Sequence, residues 1–516
     1  MSFKAIRFVA LLGLSSLAAT SITAQSPSHS TRSHVERFSS IEKRAERVEA
    51  EANSKLKTNP KDAAVLNSRG VARLFLGNYP GAHEDFQQAV SLAPGNAVYH
   101  ANLGSVLWKL GRHDAALQAV RTAIKLDDKN FNAHYDAGRF LLRRGGPAGI
   151  EEAVSHLRRA IEIDPTKYDV RFELITAYRE LNDRAQAANQ LDFLKDARPS
   201  DPRVLYTSGL LATDRGDLES AVKDFNDALR RDPAFYNAWQ DLGVAYTKLN
   251  RPAQAVEAFA ALARLRPNSV DAAYLHGLSL FNAGQSEEAE REVRRALKIS
   301  AGAAEAHTLL GVILAARGNA NAEAIETLSQ AVALNQNSFD ARFYLGRVLF
   351  AIRDYPGAVR ELSAAVKLKP AFAEARFFLG TALESAGETE AAQVEYRELV
   401  KLAPDSPFGQ LGLGALLLKQ GKTDEALTAL ERATSLDPKS FEANLAMGRA
   451  LVRVEKLPEA VDFLNKAVQL APYRPDGHYQ LGLVLKRLGK SAEAAAEFAI
   501  VERLNSEFRS GMTTRP

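Results

Sequence analysis

The chain has 516 residues, 46% hydrophobic and 25% charged, enough apolar material for a large core. Lys and Arg outnumber Asp and Glu by only four, a balance that does not suggest a nucleic-acid footprint, which would need basic residues clustered on one face. Cysteine is absent, which excludes disulfides, thiolate metal sites and cysteine nucleophiles.

Residues 1–24 open with Lys4 and Arg7, continue through the apolar stretch Phe8 to Ala19, and end in Ile22-Thr23-Ala24. Basic, apolar, small is the order of a secretory signal peptide, and the stretch is short beside the roughly 20 residues of a membrane span. The expectation is an exported protein, periplasmic or secreted, cleaved after Ala24; an uncleaved N-terminal membrane anchor is the alternative. Cleavage removes two basic residues and no acid, leaving a net charge of +2. No later segment reaches spanning length without charges, so no membrane span is expected after cleavage. Residues 25–36 are polar and read as a flexible leader. Over 37–60, Phe38, Ile41, Ala45, Val48, Ala52 and Leu56 recur at three and four, predicting a solitary capping helix that Pro60 ends.

From Ala63 to about 506 the chain repeats itself every 34 residues. With Ala63 as the first place, glycine occupies the eighth in twelve of thirteen units, from Gly70 and Gly104 to Gly448 and Gly482. Alanine occupies the twentieth place in all thirteen, from Ala82 to Ala494. The units start near 63, 97, 131, 168, 202, 236, 270, 304, 339, 373, 407, 441 and 475, and two insertions keep the register, one near Gly146–Gly149 and one near Asn319–Glu323. A glycine inside a helix costs about 1 kcal/mol against alanine, so its recurrence predicts two helices crossing closely at that point. Large apolar residues at the twenty-fourth place (Phe86, Leu157, Phe225, Tyr396) and small ones three later continue the buried face. Gly111, Gly216, Asn250 and Gly421 suit left-handed helix ends, and prolines such as Pro94, Pro267 and Pro438 stop the second helices. Residues 507–516 are a polar tail.

Units such as Ala238-Trp239 … Leu242-Gly243 … Tyr246 … Ala255 … Phe259 … Pro267 resemble the tetratricopeptide repeat, and the likeness covers 63–506. The resemblance implies an all-α fold, a right-handed α-α superhelix of about thirteen helix–turn–helix repeats. It also implies a non-enzymatic adaptor that holds protein or peptide partners in a concave groove. The fourth unit departs most: Ile175 replaces glycine, Asn182 the turn glycine and Leu194 a later alanine. Together with the insertion before it, this marks a candidate bend between 63–167 and 202–506, or neutral drift.

No catalytic, cofactor or metal constellation emerges. Gly409-Gln-Leu-Gly412-Leu-Gly414 has the wrong spacing for a phosphate loop and lies inside a first helix. His100, His134, His307 and His478 share the fourth place, and with no second histidine one turn away they read as packed side chains. Acids at the second place in six of the last seven units (Asp271, Glu305, Asp340, Glu374, Glu442, Asp476) read as complements to the helix dipole.

If the resemblance holds, the fifth, ninth, twelfth and thirteenth places face the groove. The fifth is aromatic at Tyr135, Phe172, Tyr206, Tyr274, Phe343, Phe377 and Tyr479, and the twelfth at Trp108, Phe281 and Phe350. Arg139, Arg347 and Arg449 recur at the ninth, with Lys109, Arg143, Lys248, Lys419, Arg453 and Arg487 nearby. This set is the candidate peptide groove, its rings as anchors and its cations reaching a partner's carboxylates; the competing reading is ordinary packing. The lysine and asparagine set by which some family members hold a chaperone's terminal carboxylate is missing, since asparagine occurs at the sixth place only as Asn102. A structural or self-assembling part of a cell-envelope complex, for secretion or outer-membrane biogenesis, is the alternative function. An enzyme built from scattered groove residues is the remote one.

Overall fold

A computed structural model describes residues 31–318 and 321–509, with 31–41 and 508–509 as helical backbone only. The segment read as an export signal lies outside these residues, as do 25–30, 510–516 and part of the insertion near Asn319. The described residues form helices and no strand. The first, Thr31–Thr58, begins inside the stretch expected to be a flexible leader. Val35 explains the difference, because it extends the three-and-four apolar spacing of Phe38 and Ile41 back by one turn.

The remaining helices come in antiparallel pairs, and the chain divides at 267/268 into two compact units, 15–267 and 268–516, of which 31–267 and 268–509 are described. In the first unit, six pairs succeed the capping helix, starting at Ala63, Ala97, Phe131, Asp169, Pro202 and Tyr236. The second holds seven, starting at Val270, Ala304, Phe339, Ala373, Pro407, Phe441 and Pro475. Side chains fix many of these starts: Asp62, Asn96, Asn130, Asp201, Ser269, Ser338 and Ser440 accept from backbone N–H groups of the first turn.

Within a pair, the eighth-place glycine sits under the twenty-fourth-place side chain. A Cβ on Gly70 would stand 2.6 Å from Phe86, and one on Gly243 2.7 Å from Phe259. All twelve such glycines meet that residue at under 3.0 Å, several with the carbonyl of the twentieth-place alanine close behind. The helix-breaking cost of glycine is offset by this close crossing. In the fourth pair Ile175 fills that space, and its two helices pack less closely than those of the other pairs. The insertion near Gly146 is absorbed by left-handed Gly145 and Gly146 (φ 74° and 86°) and a longer second helix, Pro147–Ile163.

First helices approach the first helix of the neighbouring pair in both units, while successive second helices stay farther apart among the described residues. Each unit therefore curves with its first helices on the inner side. That curvature decides which side chains face a common surface.

Candidate functional site

The inner face of the 15–267 unit is a network of polar side chains linking successive repeats. Asn102 donates to Asn67 Oδ1 at 2.8 Å, and Ser105 donates to Asp136. Arg139 lies 3.5 Å from both Asp136 and Glu173. Arg179 forks onto Asp214, with Nη2 at 3.0 Å from Oδ1, and the Tyr206 hydroxyl donates to Asp241 Oδ2 at 2.7 Å. Burial pushes the carboxyls of Asp136, Glu173 and Asp241 up, against the pull of Ser105, Arg139 and Tyr206 respectively. Burial also holds the Arg143 guanidinium below its usual range, helped by the adjacent charge of Arg139. The Tyr135 phenol, pushed up to about 12 by burial, lies under Arg139 at 5.1 Å, and Phe172 lies under Arg203 at 4.7 Å. Trp108 stacks parallel on Phe140 with centroids 4.2 Å apart.

The inner face of the 268–516 unit is largely apolar at the fifth, sixth and ninth places of its first four repeats, starting at 270, 304, 339 and 373. Thr308, Leu309 and Val312 are buried, Tyr274 and Phe281 are half-buried, and burial raises the Tyr274 phenol. Phe343 is 3% exposed and packs against Phe339, Tyr344, Phe372 and Phe378, with centroids 5.3 to 6.0 Å away. Arg347 is buried with its guanidinium 4.6 Å from the Phe378 ring and 3.4 Å from Glu374, and burial lowers its pKa. Phe377 extends the ladder from Phe378 (5.6 Å) to Phe408 (5.3 Å), and Phe350 sits beside Tyr355 at 5.7 Å. The ladder surfaces at its edges, where Phe372 is 38% and Phe408 52% exposed. Tyr479 and Arg449 are exposed as well.

The sequence-predicted groove residues thus lie on the inner faces, but most are already engaged. Lys419 pairs with Glu384, Arg453 donates to the Leu418 carbonyl, and Arg487 meets Glu455 at 2.6 Å. Of the three ninth-place arginines only Arg449 has no acidic partner among the described residues. Two contributors escaped the sequence reading. The sixth-place acids Asp136, Glu173 and Asp241 recur at one register position, which is the signal that could have found them. Phe408 is the single break in the second-place row of acids of the last seven units, and a break in a periodic row is itself a signal.

Fourth-place residues have a separate task. Nε2 of His100, His134, His307 and His478 faces the carbonyl of Pro94, Asp128, Ala301 and Pro472, at 2.9 to 3.1 Å. A carbonyl only accepts, so Nε2 donates. Trp239, Arg342, Arg376 and Asn444 make the same bond to Pro233, Gln336, Pro370 and Pro438. Each tethers a first helix to the turn that precedes it. The second-place acids divide: Glu374 meets Arg347, while Glu442 and Asp476 share Arg474. Among the described residues no group of three or more His, Asp or Glu is placed to hold a metal, and no helix is long and apolar enough to cross a membrane. Gly412 makes no phosphate cradle, since a Cβ there would stand 2.5 Å from the Tyr396 ring.

Two family models described as tetratricopeptide repeat match the chain. One covers 206–270, 274–338, 320–361, 345–407 and 411–475, and the other 76–139 and 150–209. The chain belongs to the tetratricopeptide repeat family. It is similar to Tetratricopeptide repeat protein 37 of Xenopus laevis, 27% identical over 212 residues, which are 40% of this chain and 13% of that protein. The Peroxisomal targeting signal receptor of Saccharomyces cerevisiae is 24% identical over 40% of this chain and 34% of its own. The chain therefore spans about an eighth and a third of these tetratricopeptide relatives. Among solved structures, YrrB, a tetratricopeptide protein with an unusual peptide-binding site, is 22% identical with a TM-score of 0.34, over 37% of this chain and 97% of its own.

Proposed function

We propose that this protein is an exported, non-enzymatic scaffold that holds protein or peptide segments against the inner faces of its repeats. The carrying observation is the partly exposed inner face of the 268–516 unit, where Phe372, Phe408 and Tyr479 leave 38%, 52% and 47% of their surface open. Large rings open to solvent beside an otherwise buried aromatic ladder are the kind of surface that anchors a partner. The yeast relative is named as a receptor for a targeting signal, in keeping with repeats of this kind holding short segments. Export rests on the basic, apolar, small order of residues 1–24.

The test is crosslinking of the mature protein, residues 25–516, in a cell-envelope extract, with bound partners then identified by mass. Tyr206 and Phe343 are poor probes, because one hydrogen-bonds Asp241 and the other is buried. Phe408→Ser and Tyr479→Ser keep the packed core, and partner capture reduced by the pair is the expected result. Capture of no partner by the unaltered protein would sink the scaffold reading. Export is checked by the N-terminal sequence of the protein recovered from the envelope fraction, which should begin at Gln25.

A further inference from the structure

The geometry points to a partner of particular chemistry for the last three repeats: an extended segment that presents both acidic and large apolar side chains on one side. This rests on the scaffold reading above and deepens it. The apolar half of the surface is the end of the ring ladder. Phe377 and Phe408 stand 5.3 Å apart, Phe408 is half-exposed, and farther along the same face Tyr479 and Leu483 are 47% and 37% exposed.

The charged half is an imbalance on the same face. At the second, fifth, sixth, ninth, twelfth and thirteenth places of the repeats starting at 407, 441 and 475 stand five cations: Lys419, Arg449, Arg453, Lys486 and Arg487. Two carboxylates accompany them, Glu442 and Asp476, and both are taken by Arg474, at 2.8 and 2.9 Å. Glu384 and Glu455 hold Lys419 and Arg487. Arg449 and Lys486 are exposed and have no acidic partner among the described residues. Earlier on the inner faces Arg139, Arg179 and Arg347 each meet a carboxylate of the protein. Arg449 presents a planar fork suited to one carboxylate, and apolar surroundings strengthen such a pair relative to open water. Every second side chain of an extended strand points to the same side, so an acid and an apolar residue two places apart reach a cation and a ring on one face.

The experiment uses the mature full chain and end-blocked, dye-labelled heptapeptides whose first, third, fifth and seventh residues alternate aspartate with leucine or phenylalanine, with serine between them. A twin carries asparagine at each aspartate. Fluorescence anisotropy should show the aspartate peptide binding about tenfold tighter than its twin at low salt, a difference that shrinks as salt screens the pair. Arg449→Glu should remove that preference, and Phe408→Ser should weaken both peptides. Both residues are exposed, and unchanged thermal melting confirms that the variants fold. Equal affinity for the two peptides, or a preference that survives Arg449→Glu, overturns the inference. If envelope partners are still captured but crosslink only within 31–267, this inference fails and the scaffold reading stands; if nothing binds in either assay, both fail.

Discussion

At the fifth place of its repeat, Tyr206 reaches across to Asp241 with a 2.7 Å hydrogen bond, while Phe343, at the same place in the 268–516 unit, is 3% exposed among four other rings. The contrast runs along both inner faces. In 31–267 the sixth and ninth places include the polar set Ser105, Asp136, Arg139, Glu173 and Asp241; in 268–509 they include Leu275, Leu309, Val312, Tyr344 and Phe378, with Arg347 and Arg449 as the charged exceptions. The crossing of eighth-place glycine under the twenty-fourth-place side chain is common to both. The repeat's own core thus leaves the inner face free to vary, and one unit holds its neighbours by polar links where the other uses aromatic packing.

The difference breaks most visibly at Phe343. Phe343→Ala opens a hole under Phe339, Phe372 and Phe378 and loosens the buried Arg347, and should cost about 3–4 kcal/mol. Urea unfolding with hydrogen exchange read over 268–509 measures it, and a loss under about 1 kcal/mol would mean the rings do not hold this unit together. Tyr206→Phe keeps the ring and removes only the donor to Asp241, so about 1–2 kcal/mol is expected, read over 31–267.

The polar face also carries a pH signature. The folded protein raises the pKa of Asp136, Glu173 and Asp241, so their protonated forms are favoured by folding. Their contribution is fully present below the unfolded value of about 4 and is lost as pH rises through the raised values. His156, buried against His134 with the two Nδ1 atoms 3.1 Å apart, is lowered by burial and by that neighbour, so its contribution is lost as pH falls below about 6.5. Measured against Asp136→Asn/Glu173→Gln/Asp241→Asn, the unaltered 31–267 region should gain relative stability between neutral pH and about pH 4. A difference that is flat across that range would show that these carboxyls are effectively solvated.

How far these faces could be read from sequence depends on the range of the contacts. Gly243 and Phe259 meet through backbone crossing, a contact that every repeat must make, so periodicity alone exposes it. Arg139, Arg347 and Arg449 share the ninth place and read alike in sequence, but the first lies between two carboxylates, the second is buried among rings and the third is open. Glu173 and Glu374, the partners that tie Arg139 and Arg347 to the next repeat, lie 34 and 27 residues on and depend on side chains that vary from unit to unit. The fourth-place histidines were legible as structural because no second ligand lay one turn away; their carbonyl partner six residues upstream appears only once the inter-repeat turn is built.

The turns between paired helices sharpen the comparison at its smallest scale. Where glycine is absent from the left-handed position, 31–267 uses Asn182 and Asn250 (φ 56° and 55°), whereas 268–509 uses Arg353 and Glu455 (φ 68° and 61°). Asparagine tolerates that region; for arginine and glutamate the contact between Cβ and the following carbonyl costs roughly 1–2 kcal/mol. Arg353 is exposed and makes no side-chain ion pair among the described residues, so Arg353→Gly relieves the strain and loses nothing else. Glycine gives back part of the gain through the entropy of the unfolded chain, leaving a net stabilisation of about 0.5–1 kcal/mol. Asn250→Gly should change stability by only a few tenths of a kcal/mol, because asparagine already suits this conformation. Equal gains from the two substitutions would show that the turn in 268–509 carries no more strain than its counterpart, and the two units would then differ in their inner faces alone.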